Sequence, residues 1–91
     1  MEKTLEKSMD ETFRVPGVAG VLCADEHGLC LSSKGIAQKE AAGQLASLAR
    51  QAQQLHPTNP SPVIAIEAEG GTILIKSESE VTMAVYKAPI S

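Results

Sequence analysis

Val21, Leu22 and Cys23 stand side by side in the stretch from Val18 to Gly35, VAGVLCADEHGLCLSSKG, and no other feature of the chain restricts its fold as much. Successive side chains of a strand point to opposite faces, so a strand with one wet face alternates apolar and polar residues. This one does not, and it needs cover on both sides. Asp25, Glu26, His27 and Gly28 then form a polar turn, with Gly28 where the chain takes a positive φ, and the apolar run resumes at Leu29. The stretch reads as a β-hairpin closed by Gly35, with a helix required on either face of its first strand.

The flanking segments supply those helices. From Met1 to Arg14, Leu5, Met9, Thr12 and Phe13 fall near one helical face, while Glu2, Lys3, Glu6, Lys7, Asp10 and Glu11 take the rest, and Pro16 and Gly17 stop the helix. From Gln38 to Leu55, helical spacing places Ala41, Leu45, Leu48, Ala49, Ala52 and Leu55 on one stripe. Beside it Ala42, Gly43 and Ala46 form a patch of small residues. Glycine in a helix costs roughly 1 kcal/mol relative to alanine, so Gly43 reads either as close approach of another backbone or as tolerance at an exposed turn.

HPTNPSP, from His56 to Pro62, is a stiff linker, because proline lacks an amide donor and drives its predecessor towards extended backbone; a PxxP-type ligand role is the alternative. Three strands are expected after it: Val63 to Ala68, opened by Pro62 as edge strands often are; Thr72 to Lys76, after the Gly70-Gly71 turn; and Val81 to Lys87, after the polar run Ser77 to Glu80. The expectation is an α+β fold in the order α-β-β-α-β-β-β, a five-stranded antiparallel sheet with helices on both faces, in one domain spanning 1–91.

The aromatic share is 2%, Phe13 and Tyr86, so aliphatic side chains must fill the core, and such a thin core favours added burial against a partner. A net charge of -3 with scattered cations lacks the basic patch that phosphate binding requires, which argues against nucleic acid. No apolar run approaches the roughly 20 residues of a membrane span, and the charged start does not resemble a secretory leader. Glu2 and the ending Pro89-Ile90-Ser91 match neither a myristoylation nor a prenylation signal. These signs point to a soluble, intracellular chain that reaches a membrane only through a partner.

No catalytic constellation emerges. Cys23 and Cys30, on opposite arms of the hairpin, read as packed, reduced thiols rather than a disulfide. With His27 and His56 they make one C-x6-C pair and a remote histidine, which is poor spacing for zinc. Asp25, Glu26 and His27 are adjacent turn residues pointing in different directions, and Ser32 and Ser33 lack any nucleophile motif around them. Glu67, Glu69, Glu78 and Glu80 are solvated strand ends.

The hairpin GVLCADEHGLCL from Gly20 to Leu31, Gly35, the alanine-rich helix from Gln38 and the closing meander together resemble the roadblock/LC7 family, and within it the Ragulator type. The resemblance spans nearly the whole chain. It implies a non-catalytic scaffold subunit without cofactor or metal, contributing to guanine-nucleotide exchange only as part of a complex. The implied partner is another roadblock-type subunit in a heterodimer, joined through sheet edges and second helices. The implied assembly sits on the cytoplasmic side of the lysosomal surface and recruits and activates Rag GTPases, in amino-acid signalling to the mTOR kinase complex. Carried over by position, the pairing surface falls on Gly43, Ala46, Ser47 and Arg50 of the second helix and on Val63, Ile64, Ala65 and Ile66. Two other readings stay open: a roadblock-type dynein light chain or homodimeric small-GTPase regulator, and, in a different class, a small metal or thiol protein.

Overall fold

The computed structural model describes residues 2–55, 57–58, 62–78 and 80–89. Helix α1 (Glu2–Phe13) leads into strands β1 (Val18–Ala24) and β2 (Cys30–Gly35); a single 3-10 turn, Lys39–Ala41, opens helix α2 (Ala42–Leu55); and β3 (Val63–Ala68), β4 (Gly71–Glu78) and β5 (Val81–Lys87) follow. The strands form one antiparallel sheet in the order β2-β1-β5-β4-β3, which is the expected α-β-β-α-β-β-β arrangement. His56, Asn59, Pro60 and Ser61 of the expected linker, and Ser79 of the last turn, lie outside the described residues.

β1 is the middle of the hairpin sub-sheet and is sealed on both sides: Val21, Leu22 and Cys23 have no exposed surface. Leu22, Ala24, Ile75 and Ala84 face α2, where they meet Ala37, Ala42, Leu45 and Ala49. Val21 and Cys23 face α1 and pack with Met9, bordered by Leu5, Val18, Val81 and Met83. Each fully buried valine or leucine contributes about 1.5 to 3 kcal/mol of burial, so the consecutive apolar triplet is stabilising only because a helix lies on each face. α1 sits over β1 and β2, held at its polar side by the Lys34 ammonium, whose Nζ lies 2.8 Å from the Asp10 carboxylate.

Two expectations need correction. β4 runs to Glu78 rather than stopping at Lys76, because Ser77 and Glu78 continue the ladder opposite Thr82 and Val81. Helix α2 is turned relative to its leucine stripe. The residues it buries are Ala42, Leu45, Ala46 and Ala49, whereas Leu48 is 37% and Leu55 80% exposed. Three alanines let the helix sit close to the sheet around Leu45, and Leu48 and Leu55 are left on its outer side. No described helix is long and apolar enough to cross a membrane.

Candidate partner interface

The sheet has two edges, β2 and β3. β3 pairs with β4 in unbroken register from Val63 opposite Lys76 to Ala68 opposite Gly71, and all of its residues except Ile64 are exposed. An edge strand of this kind presents a row of backbone donors and acceptors to whatever strand approaches it. Val63 is 62% and Ile66 38% exposed. Ile66 stands opposite Ile73, and Ile73 opposite Tyr86, which places this row on the face that carries α2. The edge therefore continues onto an apolar face rather than ending in charge.

The described structure sorts the expected helix residues into different roles. Gly43 and Arg50 lie on one flank of α2, and the β1–β2 turn already occupies that flank: a Cβ built on Gly28 would stand 3.1 Å from Gly43 Cα, and Arg50 Nη1 donates to the Glu26 carbonyl at 3.4 Å. Of the two readings open for Gly43, the close approach of another backbone is made by the chain's own turn, while Gly43 itself stays exposed. Ala46 is 2% exposed, enclosed by its own chain, so a charged side chain there breaks the fold whether or not a partner is present. Ser47 is half-buried, and its Oγ accepts from Gln51 Nε2 at 3.1 Å. On the strand, Val63, Ala65 and Ile66 are exposed, while Ile64 packs into the α2 core.

Leu48 and Leu55 were not among the expected interface residues. At roughly 100° per residue, Leu48 lies about 140° round the helix from Gly43, on the flank away from the turn. The signal in the sequence was a second stripe, Ala42, Leu45, Ala46 and Ala49, equally helical in spacing but smaller in volume.

The turn has a structural account. The Asp25 carboxylate accepts the backbone N–H groups of His27 and Leu29, both at 2.9 Å, and the Asp25 carbonyl accepts that of Gly28 at 3.1 Å. Gly28 takes φ +86°, the positive value foreseen for it. Asp25 thus organises the turn by capping its amides. Cys23 and Cys30 are free, and they pack on opposite faces of the sheet. Burial, with a smaller push from nearby Cys30, raises the Cys23 thiol to about 11, so it is a neutral packed group near pH 7. Among the described residues no three His, Cys, Asp or Glu side chains converge on a metal-sized site; His56 lies outside them.

This arrangement of sheet and flanking helices has solved counterparts. Myxococcus xanthus MglB superposes with a TM-score of 0.79 over 96% of this chain and 71% of that one, at 18% identity. A roadblock/LC7 domain from Streptomyces avermitilis gives a TM-score of 0.69 over 90% and 73%, also at 18% identity. The fold is of the roadblock/LC7 type. In sequence, a family model described as Ragulator complex protein LAMTOR5 matches residues 1–87. The LAMTOR5 homolog of Nematostella vectensis is 43% identical over 90 residues, covering 98% of this chain and 99% of that one, and the Xenopus laevis LAMTOR5 is 36% identical over 89 residues, covering 96% and 97%. The chain belongs to the Ragulator complex protein LAMTOR5 family.

Proposed function

We propose that this chain is a non-catalytic scaffold subunit of a Ragulator-like complex. It pairs with a second roadblock-type subunit through the β3 edge and the outer flank of α2. The observation that carries this reading is the regular β3 strand, paired with β4 on one side and open along the other, with exposed Val63 and Ile66, in a chain whose α2 leaves Leu48 and Leu55 outside its own core. Joining β3 to a partner's edge satisfies the open backbone groups, and a partner helix laid beside α2 covers the leucines. A stable interface buries about 1,600 Å² in total, a large gain for a chain of this size.

In this reading Leu48, Leu55, Val63, Ala65 and Ile66 form the contact, and Gly43 and Arg50, on the flank held by the β1–β2 turn, lie outside it. The same reading extends, through the family, to a lysosomal surface reached through a lipidated subunit, to recruitment and activation of Rag GTPases, and to amino-acid signalling to the mTOR kinase complex. The test is affinity purification of the tagged full-length chain from cell extract, followed by size-exclusion chromatography with light scattering of the chain mixed with each roadblock-type protein recovered. Recovery of Ragulator subunits and a one-to-one complex in the mixture supports the proposal. Recovery of dynein intermediate chain without them, or a chain that stays monomeric with every candidate, overturns it.

A further inference from the structure

The flank of α2 that carries Gly43 and Arg50 is held in two places by one turn. A Cβ on Gly28 would stand 3.1 Å from Gly43 Cα, tighter than ordinary contact, and seven residues on, two helical turns along the same flank, Arg50 reaches the Glu26 carbonyl. The turn itself is stiffened by the Asp25 carboxylate, which accepts two backbone amides. α2 begins directly after a single 3-10 turn whose N-cap, Gln38, makes no side-chain capping bond, so its start is not fixed by a cap. Of the residues it buries, Ala42, Ala46 and Ala49 are short, and Leu45 is the one large side chain that packs into the sheet core.

We propose that the β1–β2 turn is a positioning latch: it sets where the amino-terminal half of α2 lies on the sheet and thereby the presentation of Leu48 and Leu55 on the opposite flank. The turn contacts α2 by backbone and by one guanidinium, whereas the leucines stand across the helix, so a shift of the turn is transmitted by the rigid helix rather than by direct contact. Gly28 and Arg50 are positioning residues in this scheme. Glu26 and His27, both exposed at the tip, are the handles through which anything engaging the turn acts on α2.

The experiment is residue-resolved amide exchange and leucine methyl NMR on the full chain, as wild type and as Gly28→Ala, which places a Cβ against Gly43. The latch predicts faster exchange at Gly43 to Ser47, by about tenfold, with β4 and β5 amides unchanged, and a shift of the Leu48 and Leu55 methyl signals. Equal acceleration throughout the chain, or unmoved α2 amides and leucine methyls, overturns it. Should Gly28→Ala fail to fold, Arg50→Ala, an exposed truncation that leaves Gly28 in place, gives the same kind of readout: acceleration confined to α2 supports the latch, and its absence overturns it.

Discussion

β2 and β3 are both edges of one sheet, yet they are built to opposite specifications. β2 reads CLSSKG; a register shift leaves Leu31 without a partner between Ser32 and Cys30, Lys34 is engaged by Asp10, and Gly35 ends the strand at φ +65°. A bulge, serines, a lysine and a strand-ending glycine are the devices by which proteins blunt an edge against further pairing. β3 reads VIAIEA, pairs without a shift and carries one charge. The contrast teaches that the molecule does not merely have spare edges: β2 is finished within the chain, and β3 is left open.

The largest expected effect tests whether β2 belongs to the chain's own stability. A side chain on Gly35 would collide with the Ala19 carbonyl oxygen and lie 2.7 Å from Phe13 Cε1, in a backbone conformation that valine rarely adopts. Gly35→Val is expected to cost at least about 3 kcal/mol of folding stability, read by urea denaturation of the isolated chain. A loss of under 1 kcal/mol would mean that the hairpin end is not the fixed point it looks to be.

Next comes the open edge. Leu55→Glu combined with Ile66→Lys is expected to weaken pairing with a roadblock-type partner by at least about 2 kcal/mol, roughly thirtyfold in Kd, while urea midpoints of the isolated chain change little. Ser33→Lys on β2 should leave Kd unchanged. If titration calorimetry instead found β2 and β3 substitutions equally harmful, the two edges would have to be treated as equivalent.

A smaller effect separates the two flanks of α2. A Cβ on Gly43 meets nothing within 4 Å, so Gly43→Ala should stabilise the isolated chain by about 0.5 to 1 kcal/mol through helix propensity alone. Partner affinity should stay as it was. Stabilisation accompanied by loss of pairing would return Gly43 to the contact surface and displace Leu48 from it.

Much of this was readable from residue order. The need to cover Val21, Leu22 and Cys23 on both faces foretold the two helices, and the bounds Val63–Ala68 and Val81–Lys87 followed from their apolar runs and flanking turns. The rotation of α2 was not readable. The buried Ala42, Leu45, Ala46 and Ala49 share only Leu45 and Ala49 with the expected stripe of Ala41, Leu45, Leu48, Ala49, Ala52 and Leu55, because periodicity weighted by hydrophobicity prefers the leucines. What decides the matter is packing: Gly28 of the turn lies against Gly43, and beside Leu45 the sheet leaves space for Ala42 and Ala49. That contact joins residues 28 and 43, and no local pattern encodes it. The extension of β4 through Ser77 and Glu78 was hidden for a related reason, since polar residues at a strand end pair by backbone as well as apolar ones do.

The smallest expected effect concerns what pins α1 to the finished edge. Asp10 and Lys34 form an exposed pair 2.8 Å apart; the hydrogen bond to Lys34 is the main cause holding the Asp10 carboxyl below its ordinary 3.8, and the hydrogen bond to Asp10 holds the Lys34 ammonium above its ordinary 10.5. A lowered carboxyl contributes stability that is fully present above its unfolded value and is lost as the pH falls through the folded one. A raised ammonium contributes stability that is present below its unfolded value and is lost as the pH rises through the folded one. The pair therefore acts across the whole range between 3.8 and 10.5 and fades at both ends. Solvent and salt screen it, so Asp10→Asn should lower Tm only slightly at neutral pH and low ionic strength. The difference from wild type should shrink in high salt, begin to fade as the pH falls below 3.8 and be lost as it falls through the lowered folded value. Because the pair ties α1 to β2 and touches neither β3 nor the leucines of α2, the same substitution should leave partner affinity unmoved. An Asp10→Asn chain that lost its partner at neutral pH would show that the finished edge also takes part in assembly.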